Sequence, residues 1–311
     1  MNPMGRGSAH AKAILIGEHA VVYGQPALVL PLLPITVHVE ISLATDEDVL
    51  DCAYYRGHLS EAPAHLEGFT MLIRAARRVF QSQSRALAIA VTSAIPPGYG
   101  LGSSAAVAVG IVRALYDFHQ RPLTLKQLLA LTHIAETRAH GTPSGVDAWA
   151  TSSERPLWFV RGQVPEFLHL RRALFLVVAN SRAPGNTHEA VRQVRESRNR
   201  LDGGTQPIKR LGELAKAARP ALVRGDYESL GTLMTTAHEQ LTNLHITTDH
   251  VDTLVSAALR AGALGAKLTG SGGGGSIIAL AANGEQQRQL TAKLTQAGAP
   301  KVWTPVLKGD K

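Results

Sequence analysis

The fold of this chain is decided by the stretch Pro96-Pro97-Gly98-Tyr99-Gly100-Leu101-Gly102-Ser103-Ser104-Ala105-Ala106. Two prolines end the preceding strand-like run, and three alternating glycines then permit backbone conformations that are closed to other residues. The segment leads straight into an almost wholly apolar helix. Because such a loop turns backbone N–H groups toward one point at the positive end of a helix dipole, the pattern predicts a phosphate-binding loop.

The two serines that follow the loop add polar groups to this prediction. Ser103 and Ser104 fall in the first helical turn, where one hydroxyl can cap the helix and the other can reach a metal or a phosphate. A flexible loop with a serine cap is the alternative interpretation.

Two other nucleotide motifs fit the chain less well. The P-loop pattern fails, because no Gly-Lys-Ser/Thr follows any glycine run. The dinucleotide spacing is matched at 100–105 and at 270–275. The second match is followed by a strand-like run where the motif needs a helix, and the first lacks an acidic residue closing a second strand. Nicotinamide binding is therefore disfavoured.

A second informative stretch runs from Glu136 to Asp147. Glu136 lies near the end of a helical pattern, and Asp147 follows the Pro143-Ser144-Gly145 turn. A carboxylate beyond a tight turn and beside buried residues has a fixed direction, which suits a metal ligand or a base for a hydroxyl. A surface turn that ends in a helix-capping aspartate is the alternative.

A lysine in an apolar run is the third feature. Lys12 lies among Ala11, Ala13 and Ile14, and Glu18-His19 follow just after a glycine. Lysine is costly to bury unless it is paired or used in function. The alternative is a strand-end lysine whose ammonium reaches solvent.

The hydrophobic periodicity predicts an α+β protein of two domains, 1–170 and 171–311. Predicted helices cover 66–80, 103–115, 123–140, 187–200, 207–223, 226–243, 250–261 and 285–297. Predicted strands cover 35–41, 86–92, 174–179, 266–268 and 276–280, and 202–207 is expected to be a surface linker.

Composition limits the classes of function. The chain has 311 residues, a formal charge of +8 and one cysteine, Cys52. The basic balance permits nucleic-acid binding, but aromatic residues make up only 5%, so we expect no nucleic-acid partner. A single cysteine without a zinc-site spacing favours a reducing cytoplasm. No uncharged apolar run reaches the roughly 18 residues that a membrane span needs, so we expect no membrane partner.

Four stretches together resemble the GHMP kinases. They are, in the family's order, 12–24 (KAILIGEHAVVYG), 96–106 (PPGYGLGSSAA), 140–147 (HGTPSGVD) and 267–275 (KLTGSGGGG). Within this family the chain is similar to the mevalonate kinases, chiefly because Gly17-Glu18-His19 continues as Ala20-Val21-Val22-Tyr23. One departure is His10-Ala11, where the family commonly has Pro-Gly before the lysine.

The resemblance implies a ribosomal protein S5-like N-terminal domain, a ferredoxin-like C-terminal domain and Mg²⁺-dependent transfer of the ATP γ-phosphate to the 5-hydroxyl of mevalonate. By position, Asp147 is implied as the catalytic base and Lys12 as its partner, with Ser104 and Glu136 holding Mg²⁺. Mevalonate is implied to lie against Lys12, Glu18, His19 and Asp147. The residues implied for ATP are Ser93, Pro97, Gly98, Tyr99, Gly100, Leu101, Gly102, Ser103, Ser104, Ala105, Gly270, Gly272 and Gly273.

Two alternatives stay open from the sequence. One keeps the fold but changes the substrate, to phosphomevalonate or a sugar. The other is a non-enzymatic binder, which need not keep Lys12, Ser104, Glu136 and Asp147 together. Family members are often homodimers, so a homodimer is a further expectation.

Overall fold

A computed structural model describes residues 4–80, 85–140, 143–199 and 205–310 of the chain. The structure is of mixed α+β type, as the periodicity predicted. It divides into two compact units, each assembled from separate stretches of sequence. The first unit comprises Met1–Ala11, Leu33–Pro96 and Gly102–Glu154, and the second comprises Lys12–Leu32, Pro97–Leu101 and Arg155–Lys311. The continuous ranges 1–170 and 171–311 do not correspond one-to-one to these units and stay a prediction.

Strands in the N-terminal half of the chain form an antiparallel core with one parallel pair. They are β1 (Gly5–Ile16), β2 (Ala27–Leu43), β3 (Val49–Cys52), β4 (Tyr55–His58) and β5 (Leu87–Ser93). β5 pairs antiparallel with β2 and parallel with β3, while β4 pairs antiparallel with β3. Along β2, Val37, Val39 and Ile41 are buried and alternate with exposed His38 and Glu40, so its period-two pattern defines one apolar face.

Helices of the first unit pack as a small bundle. They are α1 (Glu67–Phe80), α2 (Ser103–Phe118), α3 (Leu125–His140) and α4 (Val146–Ser152). α2 packs against both α3 and α4, and most of its residues are buried. The almost wholly apolar sequence of α2 therefore reflects a central helix that is covered on several sides.

The second unit combines three short paired strand segments with a five-stranded antiparallel sheet. β6 (Leu157–Phe159) pairs with residues 27–29 of β2 and with β7 (Glu166–Phe167). The sheet contains β8 (Leu174–Asn180), β9 (Gly265–Thr269), β10 (Ser276–Ala281), β11 (Val302–Trp303) and β12 (Val306–Leu307). Its order is β11-β8-β10-β9, with β12 also paired to β8.

Five helices among the described residues belong to the second unit, and three of them pack against this sheet. The five are α5 (Thr187–Asn199), α6 (Thr205–Arg224), α7 (Tyr227–Asn243), α8 (Asp249–Arg260) and α9 (Gly284–Gln296). α7 and α8 pack against β9, and α9 packs against β8. No helix of the described residues is both long and apolar enough to cross a membrane.

The predicted linker at 202–207 is wrong in its second half. Residues 202–204 lie outside the described residues, but α6 already begins at Thr205 and includes Pro207. Proline is accepted in the first turn of a helix, because the N–H that it lacks would have no partner within the helix there.

Candidate active site

The loop at 97–101 is held by bonds to other segments of the second unit. The Tyr99 carbonyl accepts a hydrogen bond of 2.9 Å from the Ser276 hydroxyl. The Gly98 carbonyl accepts one of 2.7 Å from the Gly185 N–H. These bonds fix the loop between the start of β10 and the segment before α5, so the alternative of a flexible loop is not what the structure shows.

Two glycines from the two glycine-rich segments approach each other closely. Gly100 and Gly270 have φ values of +75° and +94°. A Cβ added at Gly100 would lie 2.8 Å from the Gly270 Cα, and one added at Gly270 would lie 2.6 Å from the Gly100 Cα. Both the backbone conformation and this close contact require glycine here, which explains the residue type at each position.

The glycine run 270–275 is tied to its surroundings through its own backbone. The Gly273 N–H donates to the Ile246 carbonyl at 2.7 Å, and the Gly275 N–H donates to the Ala183 carbonyl at 2.9 Å. The run is therefore an ordered turn between β9 and β10. Because β10 follows this turn, the 270–275 match lacks the helix that the dinucleotide motif requires.

The start of α2 belongs to the first unit and differs from the expected cap. Gly102 is the N-cap residue, and no side chain caps the helix. The Ser103 hydroxyl instead donates to the Ile95 carbonyl at 3.2 Å, so the prediction of a serine cap is wrong. Ser104 lies half-buried in the first turn, at the positive end of the helix dipole.

Ser93 ends β5 in the same unit and is exposed. Its hydroxyl oxygen accepts a hydrogen bond of 3.1 Å from the Ile95 N–H. Ser93 and Ser103 thus both bond to Ile95, which shapes the chain between β5 and the loop. The contact of Ser93 with ATP stays a prediction.

Both predicted carboxylates lie on helices of the first unit. Glu136 is buried on α3, with 4% of its surface exposed. Asp147 is half-buried in the first turn of α4, directly after Gly145, which is the N-cap in a left-handed conformation. Asp147 is therefore not the cap that the alternative interpretation required. The first turn of a helix is where the dipole stabilises negative charge. Of the turn that leads to Asp147, residues 141 and 142 lie outside the described residues.

Lys12 is buried on β1, with 3% of its surface exposed, and belongs to the second unit. Its backbone N–H donates to the Leu101 carbonyl at 3.0 Å. The lysine is thus placed directly beside the end of the 97–101 loop. The alternative of a lysine whose ammonium reaches solvent does not fit this burial.

Glu18 forms a buried ion pair that sequence reasoning missed. Its Oε1 accepts a hydrogen bond from the Lys267 ammonium of β9, and both side chains are fully buried. Burial raises the pKa of Glu18, while the charges of Lys267 and of Lys12 oppose that rise. Burial likewise lowers the pKa of Lys267, and Glu18 opposes that fall. The visible signal was a lysine inside a strand-like apolar run, but its partner is distant in sequence.

His19 bonds to the backbone of the glycine run. Its Nε2 lies 2.7 Å from the Ser271 carbonyl oxygen. Because a carbonyl only accepts, the Nε2 carries the proton. Burial lowers the pKa of His19, so the neutral ring is favoured. The structure thus gives His19 a protein partner, and its contact with mevalonate stays a prediction.

Thr269 was also missed, because nothing in the strand-like run marks it. Its Oγ1 accepts a bond from the Ile14 N–H and donates to the Ile14 carbonyl, both at 3.0 Å. The 14–19 segment is therefore bonded to β9 through Lys267 and Thr269, and to the glycine run through Ser271. The structure brings together Glu18, His19 and the two glycine-rich segments in the second unit. In the first unit, α2, α3 and α4 pack against one another and carry Ser104, Glu136 and Asp147 respectively.

Two family models match this chain. The one described as "GHMP kinases N terminal domain" matches residues 70–154, and the one described as "GHMP kinases C terminal" matches residues 218–300. The first range contains the loop, Glu136 and Asp147, and the second contains Lys267 and the glycine run.

Several known proteins that are similar to this chain in sequence and fold are mevalonate kinases. The mevalonate kinase of Thermococcus gammatolerans is 31% identical over 326 residues, which cover 97% of this chain and 96% of that protein. The crystal structure of the Staphylococcus aureus enzyme is 31% identical, with a TM-score of 0.75, and covers 99% of this chain and 100% of that one. The L. major mevalonate kinase in complex with R-mevalonate is 24% identical, with a TM-score of 0.84 over 98% of this chain and 96% of that one, and supports the fold.

Proposed function

We propose that the chain, which belongs to the GHMP kinase family, transfers the γ-phosphate of ATP to the 5-hydroxyl of mevalonate. The observation that carries the proposal is the relationship to curated mevalonate kinases, which extends over 97% of the chain at 31% identity. The same relationship favours mevalonate over phosphomevalonate or a sugar as the acceptor. A non-enzymatic binder need not keep Lys12, Ser104, Glu136 and Asp147 together, so the presence of all four in the sequence argues against that alternative.

The proposed reaction is a direct phosphoryl transfer. The oxygen of the acceptor hydroxyl forms a bond to the γ-phosphorus, the bond from that phosphorus to the bridging β–γ oxygen breaks, and ADP leaves with the electron pair. The hydroxyl proton passes to the Asp147 carboxylate. Because the transition state is loose, placement and charge neutralisation matter more than covalent help from the protein.

Lys12 supplies positive charge in this proposal. It is buried, so its ammonium acts in a medium where charge interactions are stronger than in water. Its backbone bond to Leu101 places it beside the loop that we propose binds the phosphates. A fixed cation at the transferring group stabilises the charge that develops in the transition state.

Backbone groups of the loop 97–105 and of the glycine run are proposed to bind ATP. The N-terminus of α2 offers N–H groups that no side chain caps. Such N–H groups together with the helix dipole favour a phosphate. The tight approach of Gly100 and Gly270 brings the two glycine-rich segments of the second unit together.

Ser104 and Glu136 are proposed to hold Mg²⁺. A hydroxyl and a buried carboxylate are hard oxygen donors, and Mg²⁺ in kinases takes one or two protein ligands together with phosphate oxygens and waters. The donor set therefore fits the ion. When bound, Mg²⁺ neutralises charge on the phosphates. Within the described part of the chain, no cluster of three or more His, Cys, Asp or Glu side chains suits a metal.

The product would be 5-phosphomevalonate, an intermediate of isoprenoid synthesis. We propose the cytoplasm as the location, in line with a chain whose single cysteine, Cys52, is free.

A panel of acceptors tests the proposal. ADP formation is measured with R-mevalonate, 5-phosphomevalonate, galactose and homoserine, each at saturating Mg·ATP, and with no acceptor as the blank. We expect a kcat/KM for mevalonate that exceeds every other by about 100-fold or more, since a site that hydrogen-bonds its substrate rejects poor matches strongly. A higher kcat/KM for another acceptor would replace mevalonate, and ADP formation only at the blank rate would refute the kinase.

Asp147→Asn tests the assignment of the base. The variant keeps the side-chain volume but cannot take a proton, so we expect kcat to fall by about 10²–10⁴-fold. Binding of ATP, measured by calorimetry, and the melting temperature should stay close to wild type. A variant that keeps more than a tenth of wild-type kcat would remove Asp147 from this role.

A further inference from the structure

A row of buried polar side chains crosses one end of the five-stranded sheet in the second unit. Asn180 on β8, Ser276 on β10 and Thr269 on β9 lie directly opposite one another in neighbouring strands. Residues in such positions project from the same face of a sheet. Their exposed fractions are 4%, 0% and 1% respectively. Burying polar groups is unfavourable unless they are hydrogen-bonded, so the partners of this row indicate what it does.

The bonds that leave this row lead to two segments that the proposed function uses. The Thr269 hydroxyl bonds to both the N–H and the carbonyl of Ile14 on β1, the strand that carries Lys12. The Ser276 hydroxyl bonds to the Tyr99 carbonyl at 2.9 Å, in the loop that we propose binds the phosphates. The row therefore connects the sheet to the loop and to the lysine strand.

The Ser276 hydroxyl has two oxygen neighbours but only one proton. Its Oγ lies 2.9 Å from the Tyr99 carbonyl oxygen and 3.0 Å from the Asn180 Oδ1. A serine hydroxyl can donate to one of them and accept from a third group. The two ends of an asparagine amide have nearly the same size, so the amide can turn its nitrogen toward Ser276. Asn180 then donates to the Ser276 oxygen, and the Ser276 proton is left for Tyr99.

We propose that Asn180 is a positioning residue for ATP, which directs the Ser276 hydroxyl to the Tyr99 carbonyl and so fixes the loop at the phosphates. The inference rests on the proposed function, in which this loop binds ATP. Among the described residues, the Asn180 side chain is hydrogen-bonded to Ser276 alone, so it acts on the loop through that hydroxyl.

A second bond holds the loop independently of Ser276. The Gly185 N–H donates to the Gly98 carbonyl at 2.7 Å, and both groups belong to the backbone. Loss of the side-chain bond should therefore shift the loop without unfolding the protein. The expected consequence is weaker binding of ATP, while binding of mevalonate stays unchanged.

Ser276→Ala tests the bond to the loop. Removing one hydrogen bond should raise the KM for ATP by about three- to tenfold. The KM for mevalonate and the kcat at saturating substrates should stay within about twofold of wild type, because the lost interaction contributes to binding of ATP. A variant that merely lost folded protein would instead show a lower kcat with an unchanged KM for ATP, so the two effects are separable.

Asn180→Leu tests the positioning role. It removes the amide, keeps a branched side chain and buries no charge, and it should raise the KM for ATP by at least about twofold. In Asn180→Leu/Ser276→Ala the KM for ATP should lie within about twofold of that in Ser276→Ala, since a residue that acts through another adds nothing once the other is gone.

Thr291→Val is the matched control. The Thr291 hydroxyl is also half-buried in the second unit, but it donates to the Gln287 carbonyl within α9. Its removal should leave the KM for ATP unchanged. Calorimetric titration of each protein with ATP, without mevalonate, should give dissociation constants in the same order as the KM values, and melting temperatures show that folded proteins are compared.

An unchanged KM for ATP in folded Ser276→Ala or Asn180→Leu overturns the inference. It is also overturned if the KM of the double variant rises by the product of the two single effects. If Asn180→Leu does not fold, the smaller Asn180→Ala takes its place in the same comparison, with the same outcomes. A wild-type protein that neither binds ATP nor phosphorylates an acceptor refutes the proposed function itself, whereas an active wild type with unaffected variants refutes only the role of Asn180.

Discussion

Replacing Gly100 by alanine separates the two reasons for which the structure requires glycine. The residue has a φ of +75°, and an added Cβ would lie 2.8 Å from the Gly270 Cα and 2.9 Å from the Thr269 carbonyl oxygen. The neighbours are backbone atoms, which cannot move aside as the end of a flexible side chain can. Both the conformation and the contact should therefore destabilise the variant.

The two contributions have different sizes. A left-handed backbone costs a non-glycine residue about 1–2 kcal/mol. Forcing an extra methyl group into a packed site costs about 1–3 kcal/mol more. We therefore expect Gly100→Ala to lower the free energy of unfolding by about 2–5 kcal/mol.

Gly162→Ala is the matched control. Its φ is +82°, and nothing lies within 4 Å of an added Cβ. It should therefore show the conformational cost alone, about 1–2 kcal/mol. The difference between the variants isolates the close contact of the two glycine-rich segments.

Urea unfolding of the wild type, Gly100→Ala and Gly162→Ala measures the conformational and the steric cost, provided that the three proteins have the same m-value. KM for ATP should rise in Gly100→Ala and stay unchanged in Gly162→Ala, because only the first variant displaces the loop that we propose binds the phosphates. Equal loss of stability in the two variants would refute the steric argument, and an unchanged KM for ATP would refute the role of the loop.

Three further predictions concern the metal, an ion pair and pH. Ser104→Ala and Glu136→Gln should both raise the free Mg²⁺ concentration needed for half-maximal activity. The rise should be larger for Glu136→Gln, because a carboxylate is the stronger Mg²⁺ ligand. Unchanged midpoints in a Mg²⁺ titration of activity would exclude both side chains as ligands. Asp48→Ala removes the carboxylate that a mostly buried guanidinium binds and should cost about 3–5 kcal/mol in urea unfolding. The exposed Asp51→Ala should cost less than about 1 kcal/mol, and equal costs would contradict the burial argument. Burial lowers the pKa of His238 below 6.5. The stability that neutral His238 contributes is therefore present above pH 6.5 and is lost as the pH falls through the lowered pKa. The melting temperature of His238→Gln should fall less on acidification than that of the wild type, and an identical fall would refute this.

Long helices and buried strands could be predicted from the sequence because their signal is local. The helical spacing of 66–80 matches α1, and the apolar run 174–179 matches β8. Strands of two to four residues, such as β7 and β11, were missed, because a segment that short has too few residues to show a period.

Part of the candidate site could not be predicted, because its contacts join distant segments. Lys267 and Glu18 are separated by 249 positions, so no local pattern links them. One of the Ser103 and Ser104 hydroxyls was expected to cap α2, but no side chain caps this helix, and the Ser103 hydroxyl donates to the Ile95 carbonyl instead. The types of residue at the site were visible in the sequence, whereas their partners depend on tertiary structure.

The most direct measurement of the proposed chemistry is a ³¹P NMR spectrum of the wild-type protein with Mg·ATP and R-mevalonate. We expect a new phosphomonoester resonance that couples to the methylene protons of carbon 5 and grows in equal amount with ADP. The Asp147→Asn protein should form both signals about 10²–10⁴-fold more slowly at the same enzyme concentration. ADP formed together with inorganic phosphate, or a phosphoester on another oxygen of mevalonate, would contradict the proposed transfer.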